Sequence, residues 1–213
     1  LNDAAETVSA IESVIGSTDT ADHVTLSTHG NLSVSSVESV TGSGNTGSSG
    51  DVLTLLDGTA LSVAGVASVI GSSGTADVVT QTTQDTTLAV SAVETVVGAG
   101  GSADALQLLV GGAIAVSDVD RVLGSNAADV VTMLDNGTLE VSAVDTVIGA
   151  SGADELRLLG AGAVTVSDIE SVRGSTGTDV LTLLTGAAIT VSGVETVTGS
   201  TDVTDAVTLA NAG

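Results

Sequence analysis

The chain has 213 residues, with 26 Asp and Glu against three arginines (Arg121, Arg157 and Arg173), no lysine and a formal net charge of −23. That balance excludes a phosphate-backbone binder, which needs a basic footprint, and argues against insertion into or docking on an anionic membrane. Cys, Pro, Trp, Tyr and Phe are absent, which excludes disulfides, thiolate chemistry and aromatic anchors, yet 42% of the residues are apolar and call for a packed core.

Elements recur along the chain in a fixed order. A Val or Ile at 11, 37, 66, 93, 119, 144, 169 and 194 is followed three residues later by a valine column: Val14, Val40, Val69, Val96, Val122, Val147, Val172 and Val197. A spacing of three does not suit a flat strand and predicts a bend. Two residues further on stands Gly in all eight copies: Gly16, Gly42, Gly71, Gly98, Gly124, Gly149, Gly174 and Gly199. A glycine held in register predicts a corner where a Cβ would clash. A loop of varying length leads to Asp22, Asp51, Asp77, Asp104, Asp129, Asp154, Asp179 and Asp205. After each Asp, alternating apolar residues such as Leu181 and Leu183 mark a strand with one buried face. A second strand carries pairs such as Leu32/Val34 and Ile189/Val191.

A unit of about 25 residues cannot bury a core by itself and must stack on its neighbours. The expected fold is all-β, a parallel β-solenoid (β-helix) of about eight coils of roughly 25 residues, with three short strands per coil and like stacked on like. It spans 1–213 as a single repeat domain with incomplete end coils, 1–26 and 200–213. No segment has the helical periodicity of a leucine-rich-repeat horseshoe.

A second acidic column runs Glu12, Glu38, Glu94, Asp120, Asp145, Glu170 and Glu195, broken at Ala67. Like-on-like stacking would set carboxylates ~4.8 Å apart, each pair repelling by about 0.9 kcal/mol in water. Two explanations offset this. Each Asp caps its corner by accepting backbone N–H groups, or Ca²⁺ bridges neighbouring rungs. The residues for the second are Asp51, Asp77, Asp104, Asp129, Asp154 and Asp179, with Ca²⁺ as the one cofactor considered.

The corners Gly149-Ala150-Ser151-Gly152-Ala153-Asp154-Glu155-Leu156 and Gly174-Ser175-Thr176-Gly177-Thr178-Asp179-Val180-Leu181 resemble loosened G-G-x-G-x-D-x-L motifs of RTX-type calcium-binding repeats. The wider string resembles repeats of large secreted bacterial surface-layer and adhesin proteins. The resemblance implies a secreted or cell-surface bacterial protein, with Ca²⁺ at such corners. The chain departs from the tandem pattern: the opposite corner, as in Leu184-Thr185-Gly186-Ala187, mostly lacks the carboxylate.

Other chemistry has weaker support. His23 and His29 could form a metal pair, or simply face solvent in an end rung. The Thr column (Thr25, Thr54, Thr80, Thr132, Thr182, Thr208) is broken by Gln107 and Arg157, which suits a solvated strand face rather than an ice-binding array. The three arginines fall in different columns of the repeat, so a carbohydrate-active cluster has no focus, and no enzyme activity is expected. The chain begins at Leu1 without Met and ends mid-repeat, which suggests a processed or excised piece. Read head to tail, Ala206–Gly213 followed by Leu1–Glu12 nearly rebuilds one repeat. The expected function is therefore structural: head-to-tail self-assembly into an extracellular filament, matrix or surface layer. The alternative is a calcium-binding stalk, and cell-surface polysaccharide is a second conceivable partner.

Overall fold

The computed structural model describes residues 5–18, 21–44, 50–58, 60–74, 76–201 and 204–210. They form an all-β parallel solenoid of about 11 turns. The chain divides into two compact units, Leu1–Val110 and Gly111–Gly213. The first holds β1 (Ala5–Val8), β2 (Ser13–Ile15), β3 (His23–Leu26), β4 (Asn31–Ser35), β5 (Ser39–Thr41), β6 (Val52–Leu55), β7 (Ala60–Ala64), β8 (Ser68–Ile70), β9 (Val78–Gln81), β10 (Thr87–Ser91), β11 (Thr95–Val97) and β12 (Ala105–Leu108). The second holds β13 (Gly112–Ser117), β14 (Arg121–Leu123), β15 (Asp129–Met133), β16 (Thr138–Ser142), β17 (Thr146–Ile148), β18 (Glu155–Leu158), β19 (Gly162–Ser167), β20 (Ser171–Arg173), β21 (Asp179–Leu183), β22 (Ala188–Ser192), β23 (Thr196–Thr198) and β24 (Ala206–Leu209).

Strands alternate between two sheets, odd-numbered in one and even-numbered in the other. Each turn therefore has two strands, not three, and the coil is shorter than the sequence repeat. In the second unit one turn separates Leu139 from Leu156, Leu156 from Val172, and Val172 from Val191. A repeat of three strands thus advances the chain by one and a half turns. Successive copies of any column fall on opposite sheets, and like does not stack on like. Within a sheet the order is second strand, Asp strand, valine-column strand, then second strand again. Leu139 lies on Leu156, Leu156 on Val172, and in the first unit Leu32 lies on Leu53 and Leu53 on Val69.

The physical reason is that the three strands present the same inward face. Each has one or two γ- or β-branched aliphatic residues pointing in, alternating with residues that face out, as the burial of β6, β16 and β20 shows. Any of them packs on any other at the ~4.8 Å strand spacing. Leu53, Val69, Leu106, Leu139, Val147, Leu156 and Leu181 are wholly buried. No large aromatic is needed, because the space between two sheets of Val and Leu is narrow and uniform.

The predicted bend is real and has one cause. Just past each second strand, within two residues of its end, stands a left-handed residue: Ala10 (φ 52°), Ser36 (51°), Gly65 (61°), Ala92 (53°), Asp118 (52°), Ala143 (56°), Asp168 (54°) and Gly193 (65°). That single residue turns the chain so that Val37 and Val40, three apart, both point inward and are buried. Six of the eight are not glycine, and each pays roughly 1–2 kcal/mol for a Cβ in this region. Ala143→Gly should therefore raise stability, by up to about 1 kcal/mol once the added freedom of the unfolded chain is subtracted. Equilibrium denaturation with urea measures this, and a loss of stability would contradict it.

Candidate functional site

The chemistry-bearing side chains sit at the corners, where Gly column, Asp column and second acidic column meet. Six of the eight glycines, Gly16, Gly42, Gly71, Gly124, Gly149 and Gly174, are squeezed against a backbone carbonyl one turn away. A Cβ on Gly124 would lie 1.9 Å from the Ala143 carbonyl oxygen, and one on Gly174 1.8 Å from that of Gly193. The Gly amide donates to the preceding serine carbonyl, as in Gly124 to Ser142 and Gly174 to Ser192, both at 2.8 Å. The sequence expectation of a glycine forced by close approach is met. The approaching group is the carbonyl of the left-handed residue, which the sequence does not single out.

The Asp side chain closes the same corner from the other side. Asp22, Asp51, Asp77, Asp104, Asp129, Asp154 and Asp179 are all at most 2% exposed. The residue after the Gly donates its amide to the carboxylate: Ser43 to Asp51, Ser72 to Asp77, Ser125 to Asp129 and Ser175 to Asp179, each at 2.6 Å, and Ala99 to Asp104 at 2.9 Å. The serine hydroxyls add a second bond, and Gly137 donates to Asp154 at 3.0 Å. Buried carboxylates such as Asp51, Asp129 and Asp179 are tolerated because each accepts several directed N–H and O–H bonds, whereas Asp154 Oδ2 and Asp22 Oδ1 are buried without one among the described residues. This is the capping arrangement.

The second acidic column completes the joint. The amide of Asp22 donates to the Glu38 carboxylate (2.9 Å), that of Asp77 to Glu94 (2.8 Å), Asp129 to Asp145 (2.9 Å), Asp154 to Glu170 (2.8 Å) and Asp179 to Glu195 (2.7 Å). The Glu38, Glu170 and Glu195 amides donate back to the carbonyls of Asp22, Asp154 and Asp179, at 3.2 Å each. The two acidic columns thus form reciprocal clasps between neighbouring turns.

The expected stripe of stacked carboxylates is not formed. Because the repeat advances one and a half turns, Asp51, Asp104 and Asp154 precede even-numbered strands, while Asp77, Asp129 and Asp179 belong to the odd side. Repulsion within the column is relieved by spacing and by backbone donors. Among the described residues, no three His, Asp or Glu side chains gather where they could hold a metal ion.

Other residues are redistributed. His23 lies within β3, its Nδ1 2.9 Å from the Ser39 hydroxyl and its Nε2 3.2 Å from that of Thr25, so it belongs to a row of hydroxyls rather than facing open solvent. His29 instead reaches Ser43, with its Nδ1 4.0 Å from Asp51. The three arginines, scattered through the repeat, come together: Arg121 pairs in register with Glu140, Glu140 with Arg157 and Arg157 with Arg173. Arg121 donates to Glu140 at 2.6 Å and Arg157 to Glu155 at 2.8 Å. The Arg157 guanidinium, by hydrogen bond and by charge, holds the Glu155 carboxyl below the usual carboxylate range. Sequence columns could not reveal this row, because it depends on which strand types are neighbours.

Two predictions follow from the clasp. Ala67 occupies the acidic position opposite Asp51 and borders an open groove shared with Gly50, Val52 and Ser68, so a longer side chain has room. Ala67→Glu should supply the missing acceptor and raise stability by about 1 kcal/mol, read by denaturant melts. Burial, only partly offset by the Ser72 donors, holds the Asp77 carboxyl above its ordinary value. The folded state then binds this proton more tightly than the unfolded one, so Asp77 contributes stability as pH falls through its raised pKa. The melting-temperature advantage of wild type over Asp77→Asn should grow as pH is lowered from about 7 towards the unfolded Asp value of about 4. An advantage that shrinks would reverse the sign.

Comparison of the chain with family models, with curated proteins and with solved structures found no match.

Proposed function

We propose that this is a structural protein: a solenoid scaffold that self-assembles by head-to-tail stacking of its ends into a filament, matrix fibre or layer outside the cell. The observation that carries the reading is the use made of the carboxylates. In a chain this acidic, the buried Asp residues accept main-chain amides within their corners and the second acidic column accepts main-chain amides of the neighbouring turn, so the main chemical resource of the sequence is committed to building corners and holding coil on coil. The composition agrees, since a cysteine-free chain of charge −23 needs no redox control and suits a cation-rich exterior.

All four residues of β24 are exposed, and Leu209 is 78% exposed where its counterpart Leu183 in β21 is 3%. Self-repulsion opposes contact, so association should strengthen as ionic strength rises.

Sedimentation and electron microscopy of the purified chain, over rising protein and salt concentration, test this. Particles that lengthen along one axis are the expected result. A monodisperse short species under all conditions would sink the self-assembly reading. The same samples with Ca²⁺ and with chelator test the calcium-binding stalk: a melting temperature shifted by either would favour it.

A further inference from the structure

We propose that the outer face of β20 and β22 binds an acidic sugar, with the Arg173 guanidinium holding the sugar's carboxylate and the hydroxyls around it holding the ring. This site goes beyond the assembly reading and does not depend on it.

Five residues that break their columns carry the argument. Arg121 stands where the other copies have Ser or Thr, Arg157 where they have Thr or Gln, and Arg173 where they have an aliphatic residue or Thr. Glu140 replaces Ser, Thr or Ala, and Glu155 replaces Val, Ala or His. All five are charged, and the fold brings all five to the outward side of one sheet, over β14, β16, β18 and β20. In register the row reads Arg121, Glu140, Arg157, Arg173, Ser192. It gathers every Lys or Arg that a chain of charge −23 contains.

The row is not balanced. Glu140 pairs with Arg121, and Glu155 takes the Nε and one Nη of Arg157. Arg173 is left over: among the described residues it has no ion pair and no hydrogen bond. It nevertheless lies directly beside Arg157, at the ~4.8 Å strand spacing. Like charges facing each other across two strands oppose folding. A carboxylate on the open fork of Arg173, with the charge of Arg157 behind it, removes that repulsion and matches the planar geometry of the guanidinium.

The surroundings fit a sugar better than a bare ion. Beside Arg173 lies a groove of about 370 Å³, within the size range of small-ligand sites, lined by Leu158, Leu159, Ser175, Thr176 and Ser192. The other outward residues of β20 and β22 include Ser171, Thr190 and Ser192, and neither strand carries a carboxylate. The Thr176 and Ser192 hydroxyls have no hydrogen-bond partner among the described residues, so they can pair with ring hydroxyls. At the adjoining corners Glu170 and Glu195 are engaged by the amides of Asp154 and Asp179. A groove with hydroxyls on its wall also favours a sugar over the acidic side of a second copy, which would cover the arginines and leave the groove unused.

Titration calorimetry of the full chain with a tetramer of galacturonic acid, and with a neutral glucose tetramer, tests this. Binding of the acidic tetramer alone is expected. Arg173→Gln should weaken it about tenfold or more, the loss of a charge-assisted contact, and should melt like wild type because the side chain is exposed and unbonded. Arg173→Lys keeps the charge without the fork and should fall between. Ser192→Ala should weaken binding about threefold. The proposal is overturned if neither tetramer binds, if the neutral one binds as well, or if Arg173→Gln binds like wild type. Sodium sulfate that binds as tightly as the acidic tetramer would overturn the sugar and leave a simple oxyanion site. If neither tetramer binds and Arg173→Gln loses self-association in sedimentation, the row is a contact between copies instead.

Discussion

Everything in this molecule depends on a backbone contact that admits no side chain. At six corners a glycine is pressed against the carbonyl of a left-handed residue one turn away, closer than any Cβ would allow. That approach sets the distance between turns at the corner. It also creates a buried pocket of amides, and a buried amide without an acceptor costs on the order of 1–3 kcal/mol. The Asp carboxylate fills this need from within the turn, and the Glu or Asp of the next turn fills it from above. The aliphatic core supplies bulk stabilisation without direction. The corner supplies direction, because each of its bonds has one geometry.

This division explains an odd composition. A core of Val, Leu and Ile between two close sheets needs neither aromatics nor volume matching, since every strand offers the same face. Specificity of register would then be poor, as one aliphatic strand pairs with another almost indifferently. The clasp restores it, because an Asp meets its glycine and its acidic partner in only one alignment. The high negative charge is in part a by-product of this solution. A carboxylate has acceptor capacity only and cannot donate to the wrong group.

Much of this was legible in the residues. The alternation after Asp179 marks a half-buried strand, the eight-fold Gly marks a close approach, and the Asp before each strand marks a cap; all three stand in the structure where the sequence puts them. The number of strands per turn was not legible. Counting three strands in 25 residues leads naturally to a three-sided coil, and nothing in Leu139, Leu156 or Val172 says which will lie on which, since they are interchangeable in a dry core. The same ambiguity hid the arginine row, because Arg121, Arg157 and Arg173 become neighbours only when unlike strands stack. The left-handed residue escaped notice because Ala92, Asp118 and Ala143 have no special propensity for that conformation; the corner imposes it on them.

The half-turn left over by each repeat has a consequence for how such a molecule can change. Within either unit, consecutive copies look out in opposite directions, so one flank is written by alternate copies only. Exposed Leu134 and Leu184 look out beside one sheet, while Leu159 between them looks out beside the other. Gain or loss of a single copy would rotate everything beyond it to the far flank, whereas gain or loss of a pair would leave every surface facing as before. Length in such a protein is therefore free to drift in twos at little cost to any surface it displays, and drifting by one rewrites both flanks at once.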